Sequence, residues 1–316
     1  NAPGVYVALD ADIDMAGTDW SGNIGDDCNA TFDGIFDGKG HTISNLTATE
    51  TAAKTDGYVC TGLFGAIYGS AVIKNLTIKN VTINTDDFTG NNAAAVVGFA
   101  YSCTGSVENV KVTGDIEINA KNVTGTGAIV GYDYYGKLTV KDCSVKGNNG
   151  SYIKGAAYVG GVIGYASTNS NVSGNTVENV AITAQCCVGG VAGIMLNNGK
   201  AEGNTVKNVT LTATHENWQN SAAAVVGAIS GGTVTVSGTT VENVNTAALV
   251  GANMTEEHPS APVEKVEAAI GNTYYGTLEA AINAAKGQTI TLLAPITVAA
   301  GETKVIDLKG QTITGI

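Results

Sequence analysis

The chain has 316 residues, and its 42 Gly, 4 Pro and 14% charged residues are typical of a protein built from strands and turns. Its 28 acidic residues outnumber 16 basic ones, all Lys, and the formal net charge of −12 argues against nucleic acid as a partner. A hydrophobic content of 44% without long charge blocks excludes a disordered chain, and apolar stretches of about nine residues are too short to cross a bilayer.

Acidic side chains alternate near the start of the chain. Asp10, Asp12 and Asp14 would share one face of a strand. Carboxylates on one face are suited to Ca²⁺, although the spacing matches no EF-hand loop. Exposed carboxylates also protect a sheet edge against unwanted pairing. Both interpretations stay open, and the sequence predicts no other cofactor.

A block of one small residue, two apolar residues and a glycine recurs along the chain. Its closing glycines are separated by 33, 33, 33, 29, 34 and 24 residues. About ten residues after each block comes an alternating block, as at residues 75–83 and 175–180. These steps predict a repeat architecture, with each closing glycine at a structural corner where the chain bends. The glycines are Gly65, Gly98, Gly131, Gly164, Gly193, Gly227 and Gly251.

The repeats predict strands that stack as coils. Val, Ile and Thr alternate with period two, which indicates strands, and strands this short cannot bury an apolar face alone. Stacked coils about 4.8 Å apart solve this, and asparagines at the turns can then bond along the axis. Residues 1–253 are therefore predicted to form an all-β, right-handed parallel β-helix. Its equivalent core positions are Val97, Val130, Ile163, Ala192, Val226 and Val250.

Tyrosines cluster after several blocks. Tyr132 and Tyr165 follow their closing glycine by one residue, and Tyr101 follows by three. Tyr134 and Tyr135 lie in the same region of the sequence, so the coils should bring all five together. Aromatic rings stack on sugar faces, which predicts a glycan-binding face. The alternative is that the rings shield a turn.

The cysteines and histidines show no catalytic or zinc spacing. Of six cysteines, most are predicted to be buried free thiols, and Cys28 to Cys60 is the one bridge to expect. The neighbours Cys186 and Cys187 could form only a strained disulfide, because adjacent strand side chains point to opposite faces. No H-x-x-x-H, H-E-x-x-H or G-x-S-x-G motif occurs.

The last part of the chain follows a different pattern. Residues 254–264 contain two prolines and a polar run, which indicate a linker. Residues 278–286 predict a helix with Thr277 as N-cap, and strands are expected at 289–293, 296–298 and 304–307. Residues 265–316 thus form a short α+β segment. Its similarity to residues 5–44 predicts an incomplete second β-helix module with a capping helix, in a monomeric excerpt of a larger protein.

The recurring blocks resemble a known family. The G-[LVIA]-[FVIA]-G blocks followed by N-x-x-V elements resemble GLUG repeats over about residues 5–251, and residues 9–15 and 32–46 resemble the segment that commonly precedes them. The first glycine of the block is Ala in four coils, and the last coil is short. The resemblance implies a secreted or bacterial cell-surface protein. Such repeats occur in adhesin-like chains and beside secreted protease domains.

The predicted function is non-enzymatic. A stalk or adhesin that binds a glycan or a host or matrix protein fits the repeats and the lack of a catalytic constellation. The alternative is a carbohydrate-active β-helix enzyme, either a polysaccharide lyase or a glycoside hydrolase. Lyases of this shape usually use Arg or Lys as base with Ca²⁺, and the chain has no Arg. An enzyme should place two or more carboxylates in one groove on adjacent coils.

Overall fold

The protein is an all-β solenoid of about seven turns built from parallel strands. The computed structural model describes residues 4–20, 24–25, 30–49, 60–85, 92–120, 122–254, 264–271, 273–294, 308, 310 and 312–314. Each coil runs through three sheets in turn, with a two-residue bend between the first and second sheets. The predicted parallel β-helix is confirmed.

The first sheet is formed by short strands, one from each of six coils. These are Cys60–Thr61, Asn92–Ala94, Gly125–Gly127, Tyr158–Gly160, Val188–Gly189 and Ala222–Ala223. The second sheet contains Phe64–Tyr68, Val97–Tyr101, Val130–Tyr134, Ile163–Ala166, Ala192–Leu196, Val226–Ser230 and Ala248–Asn253. Glu264–Lys265 joins the end of the second sheet in antiparallel orientation. The two sheets meet at the bend, so their strands form adjoining walls of each coil.

The third sheet supplies the remaining walls. From the start of the chain it contains Val5–Ala8, Ile13–Asp14, Gly34–Asp37, Thr42–Thr49, Val72–Asn84, Ser106–Ala120, Thr139–Lys141, Ser144–Gly147, Tyr152–Gly155 and Asn171–Ser173. It continues with Thr176–Glu178, Ala181–Ala184, Lys200–Glu202, Thr205–Ala213, Thr235–Ser237, Thr240–Val244, Ala268–Ile270, Thr273–Tyr275, Ile290–Leu292 and Ile313–Thr314. A 3-10 segment, Glu216–Ser221, precedes the last strand of the first sheet.

The register places equivalent residues on neighbouring coils. Val130 pairs with Val97 on one side and with Ile163 on the other, and the pairing continues through Ala192 and Val226 to Val250. All six are buried, because their side chains point into the solenoid. The predicted alignment of core positions is therefore confirmed. The core is a set of continuous rows of Val, Ile, Leu and Ala along the axis.

The closing glycines do not lie at the bends, so the prediction that each of them forms a structural corner was wrong. The bends precede them, at residues 62–63, 95–96 and 128–129, for example. The seven glycines named above lie inside strands of the second sheet. At Gly98 an added Cβ would lie 2.8 Å from Thr61 N, and at Gly131 it would lie 2.9 Å from Ala93 N. These positions need glycine because the first sheet of the preceding coil approaches their backbone.

Asparagines within strands of the third sheet, where turns were expected, adopt positive φ and bond along the axis. Asn75, Asn109 and Asn208 have φ of 55°, 49° and 53°, a conformation that Asn tolerates better than most residues. Asn109 Nδ2 donates to Asn75 Oδ1 at 2.9 Å, and Asn208 Nδ2 donates to Asn179 Oδ1 at 3.0 Å. The amide side chains thus link successive coils.

The C-terminal segment packs on the last coil. Thr273–Tyr275 pairs antiparallel with Thr240–Val244 and forms a hairpin with Ala268–Ile270, which the sequence pattern did not predict. The helix Leu278–Ala284 has the predicted N-cap, since Thr277 Oγ1 accepts from Ala280 N at 3.2 Å.

The expected strand at 289–293 is observed as Ile290–Leu292. It pairs in parallel with Ile313–Thr314. Most of the predicted linker, residues 255–263, and the strands predicted at 296–298 and 304–307 lie outside the described residues.

Candidate functional site

Aromatic side chains from four coils meet on the outward side of the second sheet. Tyr132 pairs with Tyr165 and Phe99 in one row, and Tyr134 pairs with Tyr101 in a second row. Strand alternation places both rows on the same side. The second row continues to an earlier coil at Tyr68. The tyrosine patch is defined as Tyr68, Tyr101, Tyr132, Tyr134, Tyr135 and Tyr165.

The rings of the tyrosine patch stack on one another along the axis. The Tyr132 and Tyr165 ring centroids are 4.0 Å apart, with an interplanar angle of 5°. Tyr101 lies 6.2 Å from Tyr134 and 6.0 Å from Tyr68, centroid to centroid. Because the faces turn toward neighbouring rings, the patch offers mainly ring edges and hydroxyl groups to a ligand.

Burial differs across the patch. Tyr132 and Tyr165 are partly buried against the angle between the first and second sheets, where a Cβ at Gly125 would touch the Tyr132 ring. Burial raises the pKa of Tyr132 and Tyr165, so both hydroxyls stay protonated at neutral pH. Tyr135 is 73% exposed and Tyr68 is 40% exposed. These two form the accessible part of the patch.

All five tyrosines predicted from the sequence come together in this patch. Tyr68, Phe99 and Tyr158 also belong to the aromatic cluster, and the sequence prediction missed them. For two of them, Tyr68 and Phe99, the sequence contains a signal. Tyr68 follows Gly65 by three residues as Tyr101 follows Gly98, and Phe99 occupies the place of Tyr132.

A buried carboxylate lies under the patch. Asp133 is fully buried, and its Oδ2 accepts a hydrogen bond from Ser170 Oγ at 2.6 Å. Burial raises the pKa of Asp133 to about 6, despite hydrogen bonds that oppose the shift. Because the native state binds this proton more tightly than the unfolded chain, Asp133 lowers native stability as pH rises from about 4 to about 6.

Two of the three predicted Ca²⁺ ligands, Asp12 and Asp14, have hydrogen-bond partners in the next coil. Asp12 Oδ1 accepts from Thr42 N at 2.9 Å and from His41 Nδ1 at 3.0 Å, and these bonds hold the Asp12 pKa below its usual value. Asp14 Oδ1 accepts from Asn45 Nδ2 at 2.8 Å, the main cause of its lowered pKa. Only Asp14 lies in a strand, so the expected common face with Asp10 does not form.

Metal and membrane features were sought in the same part of the chain. Among the described residues, no three or more His, Cys, Asp or Glu side chains are arranged to hold a metal ion. The Ca²⁺ site stays a prediction. None of the helices in the described ranges has the length and apolar character to span a membrane.

Two grooves on the third sheet differ in chemistry. One of about 500 Å³ is lined mainly by amide and hydroxyl groups, including Asn148, Asn179 and Asn208. Another, of about 270 Å³, is lined by Glu242 and Glu279 near the start of the helix. Lys207 Nζ lies 3.1 Å from Glu242 Oε2, and this contact raises the Lys207 pKa. The second groove therefore holds two carboxylates, one of them in an ion pair.

The cysteines are mostly buried thiols, as expected. Burial raises the pKa of Cys103 to about 11 and that of Cys143 to about 12. Cys187 is also buried, whereas Cys186 is partly exposed. Cys28 lies outside the described residues, and with it the predicted bridge to Cys60.

Comparisons with known proteins support the fold and leave the activity open. No family model matches the chain, so the GLUG resemblance stays a prediction. The chain is 37% identical over 127 residues to halomucin of Haloquadratum walsbyi, which covers 37% of this chain and 1% of halomucin. A solved structure from Bacteroides ovatus, proposed to be an immunoglobulin A1 protease, is similar with a TM-score of 0.52. It is 16% identical, and the match covers 83% of this chain and 76% of that one.

Proposed function

We propose that the chain belongs to a non-enzymatic protein exported to a bacterial cell surface, where it serves as a stalk or adhesin. In this proposal the tyrosine patch contacts a glycan or a host or matrix protein. The observation that carries the proposal is the patch itself, a continuous aromatic surface across four coils with Tyr135 and Tyr68 open to solvent. Tyrosine supplies contact area and a hydroxyl at low conformational cost, which suits a recognition surface.

The architecture of the solenoid supports the proposed role as a stalk. Neighbouring coils pair in register through all three sheets, and amide side chains bond from coil to coil. Such a stack holds a surface patch in a fixed geometry. The match to a segment of halomucin and the GLUG-like blocks support a place outside the cell.

The charge of the chain narrows the ligand class. A net charge of −12 repels polyanions at long range, which favours a neutral glycan or a protein over an acidic polymer. The stacked rings offer hydroxyl groups and edges instead of free faces. Binding should therefore depend on hydrogen bonds from the phenols and on the exposed Tyr135 ring.

A carbohydrate-active enzyme is the second candidate, and one observation favours it. Glu242 and Glu279 line the same groove, as an acid and a base or nucleophile would. The ion pair between Glu242 and Lys207 instead suits a structural role. The two candidates differ in where the essential residues lie.

Binding to arrays of neutral glycans and matrix proteins tests the proposal. We expect the double variant Tyr68→Ser/Tyr135→Ser to bind at least about tenfold more weakly than the parent, because two aromatic contacts of about 1 kcal/mol each are lost. Tyr6→Ser is the matched control, since Tyr6 is 55% exposed on another sheet. Equal binding by the double variant would contradict the proposal. Polysaccharide cleavage that is lost in Glu279→Gln would favour the enzyme.

A further inference from the structure

Three sulfur atoms meet near the end of the solenoid. Cys187 Sγ lies 3.5 Å from Cys186 Sγ and 3.7 Å from Met254 Sδ. The two cysteines lie between strands Ala181–Ala184 and Val188–Gly189, and Met254 follows the strand Ala248–Asn253. Residues distant in sequence thus form a sulfur cluster, defined as Cys186, Cys187 and Met254.

The coil geometry explains why Met254 reaches Cys187. The outward row that holds Tyr132 and Tyr165 continues through Ile194 to two small residues, Ala228 and Ala252. These alanines pack with Cys187 and leave room for the methionine side chain.

Backbone hydrogen bonds fix both ends of the cluster. Cys187 N donates to Ser221 Oγ at 2.8 Å, and Met254 N donates to Ile229 O at 2.9 Å. The backbone of Cys187 and of Met254 is therefore held in place by the fold before any ligand binds.

We propose that the sulfur cluster binds one soft monovalent cation, Cu(I), through the two cysteine sulfurs and the methionine thioether. Thiolate and thioether ligands select soft or borderline ions such as Cu(I) and Zn²⁺, and the three ligands of the cluster are one fewer than a structural Zn²⁺ site takes. Metal–sulfur bonds of about 2.3 Å in a three-coordinate site place the sulfurs about 4 Å apart. The two observed separations, both measured from Cys187 Sγ, are within about half an ångström of that value, so each of these two pairs needs only a small movement to share one ion.

Binding is a proton exchange and not a redox step. Cu(I) displaces one proton from each thiol, both protons go to solvent, and Met254 binds as a neutral thioether. Because binding releases these two protons, affinity should increase with pH. Cys186 and Met254 are partly exposed and provide the entry side for the ion.

Anaerobic titration of the reduced full chain with Cu(I), in competition with bicinchoninate, tests the inference. We expect one tightly bound Cu(I) per chain, with X-ray absorption showing three sulfur ligands at about 2.3 Å. Cys186→Ser should weaken binding by about 100-fold or more, and Met254→Leu, which keeps the shape, by about tenfold. Cys143→Ser is the matched control, because Cys143 is buried and hydrogen-bonds to backbone carbonyls.

Two results would overturn the inference. One is the same affinity in Cys186→Ser as in the parent, with circular dichroism showing that both are folded. The other is a two-sulfur Cu(I) site that Met254→Leu leaves unchanged.

Discussion

Replacing Gly131 with alanine tests how closely the coils approach. The added Cβ would lie 2.5 Å from Gly98 O, 2.9 Å from Ala93 N and 3.0 Å from Ala93 O. All three atoms belong to the backbone of the preceding coil. They cannot rotate away as a side chain would, so relief requires two paired coils to separate.

The expected cost follows from two opposing effects. Forcing a methyl group into a packed interior costs about 1–3 kcal/mol, and three backbone contacts place this case at the upper end. Replacing Gly by Ala also reduces the freedom of the unfolded chain, which stabilises by about 0.4–1 kcal/mol. We therefore expect Gly131→Ala to lower the free energy of unfolding by about 2 kcal/mol, and Gly131→Val by more.

Urea denaturation followed by circular dichroism measures this loss as a lower midpoint at an unchanged slope. Gly276→Ala is the matched control, because the added Cβ is less crowded there than at Gly131. Its nearest neighbour would be Val241 Cβ, at 3.2 Å. The control should lose less than about 1 kcal/mol. A midpoint for Gly131→Ala equal to that of the parent would refute the close approach of the coils.

Two substitutions and one activity assay test other parts of the account. In the parent, the free energy of unfolding should fall by about 3 kcal/mol as the pH rises from 4 to 6, because Asp133 loses its proton. Asp133→Asn should abolish this loss, which is measured by comparing the unfolding midpoints of variant and parent across this pH range. Asn175→Ala should cost about 3 kcal/mol in urea denaturation, because the buried Cys143 N and Val140 O lose their partner. The protein should release no products from pectin or hyaluronan with or without Ca²⁺, and activity that is lost in Asp12→Asn would contradict this.

Much of the solenoid was predictable because the sequence repeat determines which residues align on neighbouring coils. Steps of 33 residues place Val97, Val130 and Ile163 in one row, and the alternation of apolar residues decides which side is buried. The positions of Tyr101 and Tyr132 after their glycines likewise predicted that the tyrosines meet.

Other features depend on contacts between residues that are distant in sequence, and no local sequence pattern indicates such contacts. Glycine suits both a bend and a close approach of backbones, so the sequence could not show that Gly131 lies inside a strand. The hairpin of Ala268–Ile270 and Thr273–Tyr275 is too short for a clear period, and it forms against the last coil. The contact between Cys187 and Met254 depends on small residues in an intervening coil.

The measurement that tests the central claim most directly is a hydroxyl-radical footprint of the protein with a ligand retained on the array. If the tyrosine patch is the recognition surface, the ligand should slow oxidation of Tyr135 and Tyr68 and leave Tyr6 unchanged. No retained ligand in the arrays, or protection confined to the groove that contains Glu242 and Glu279, would contradict the account.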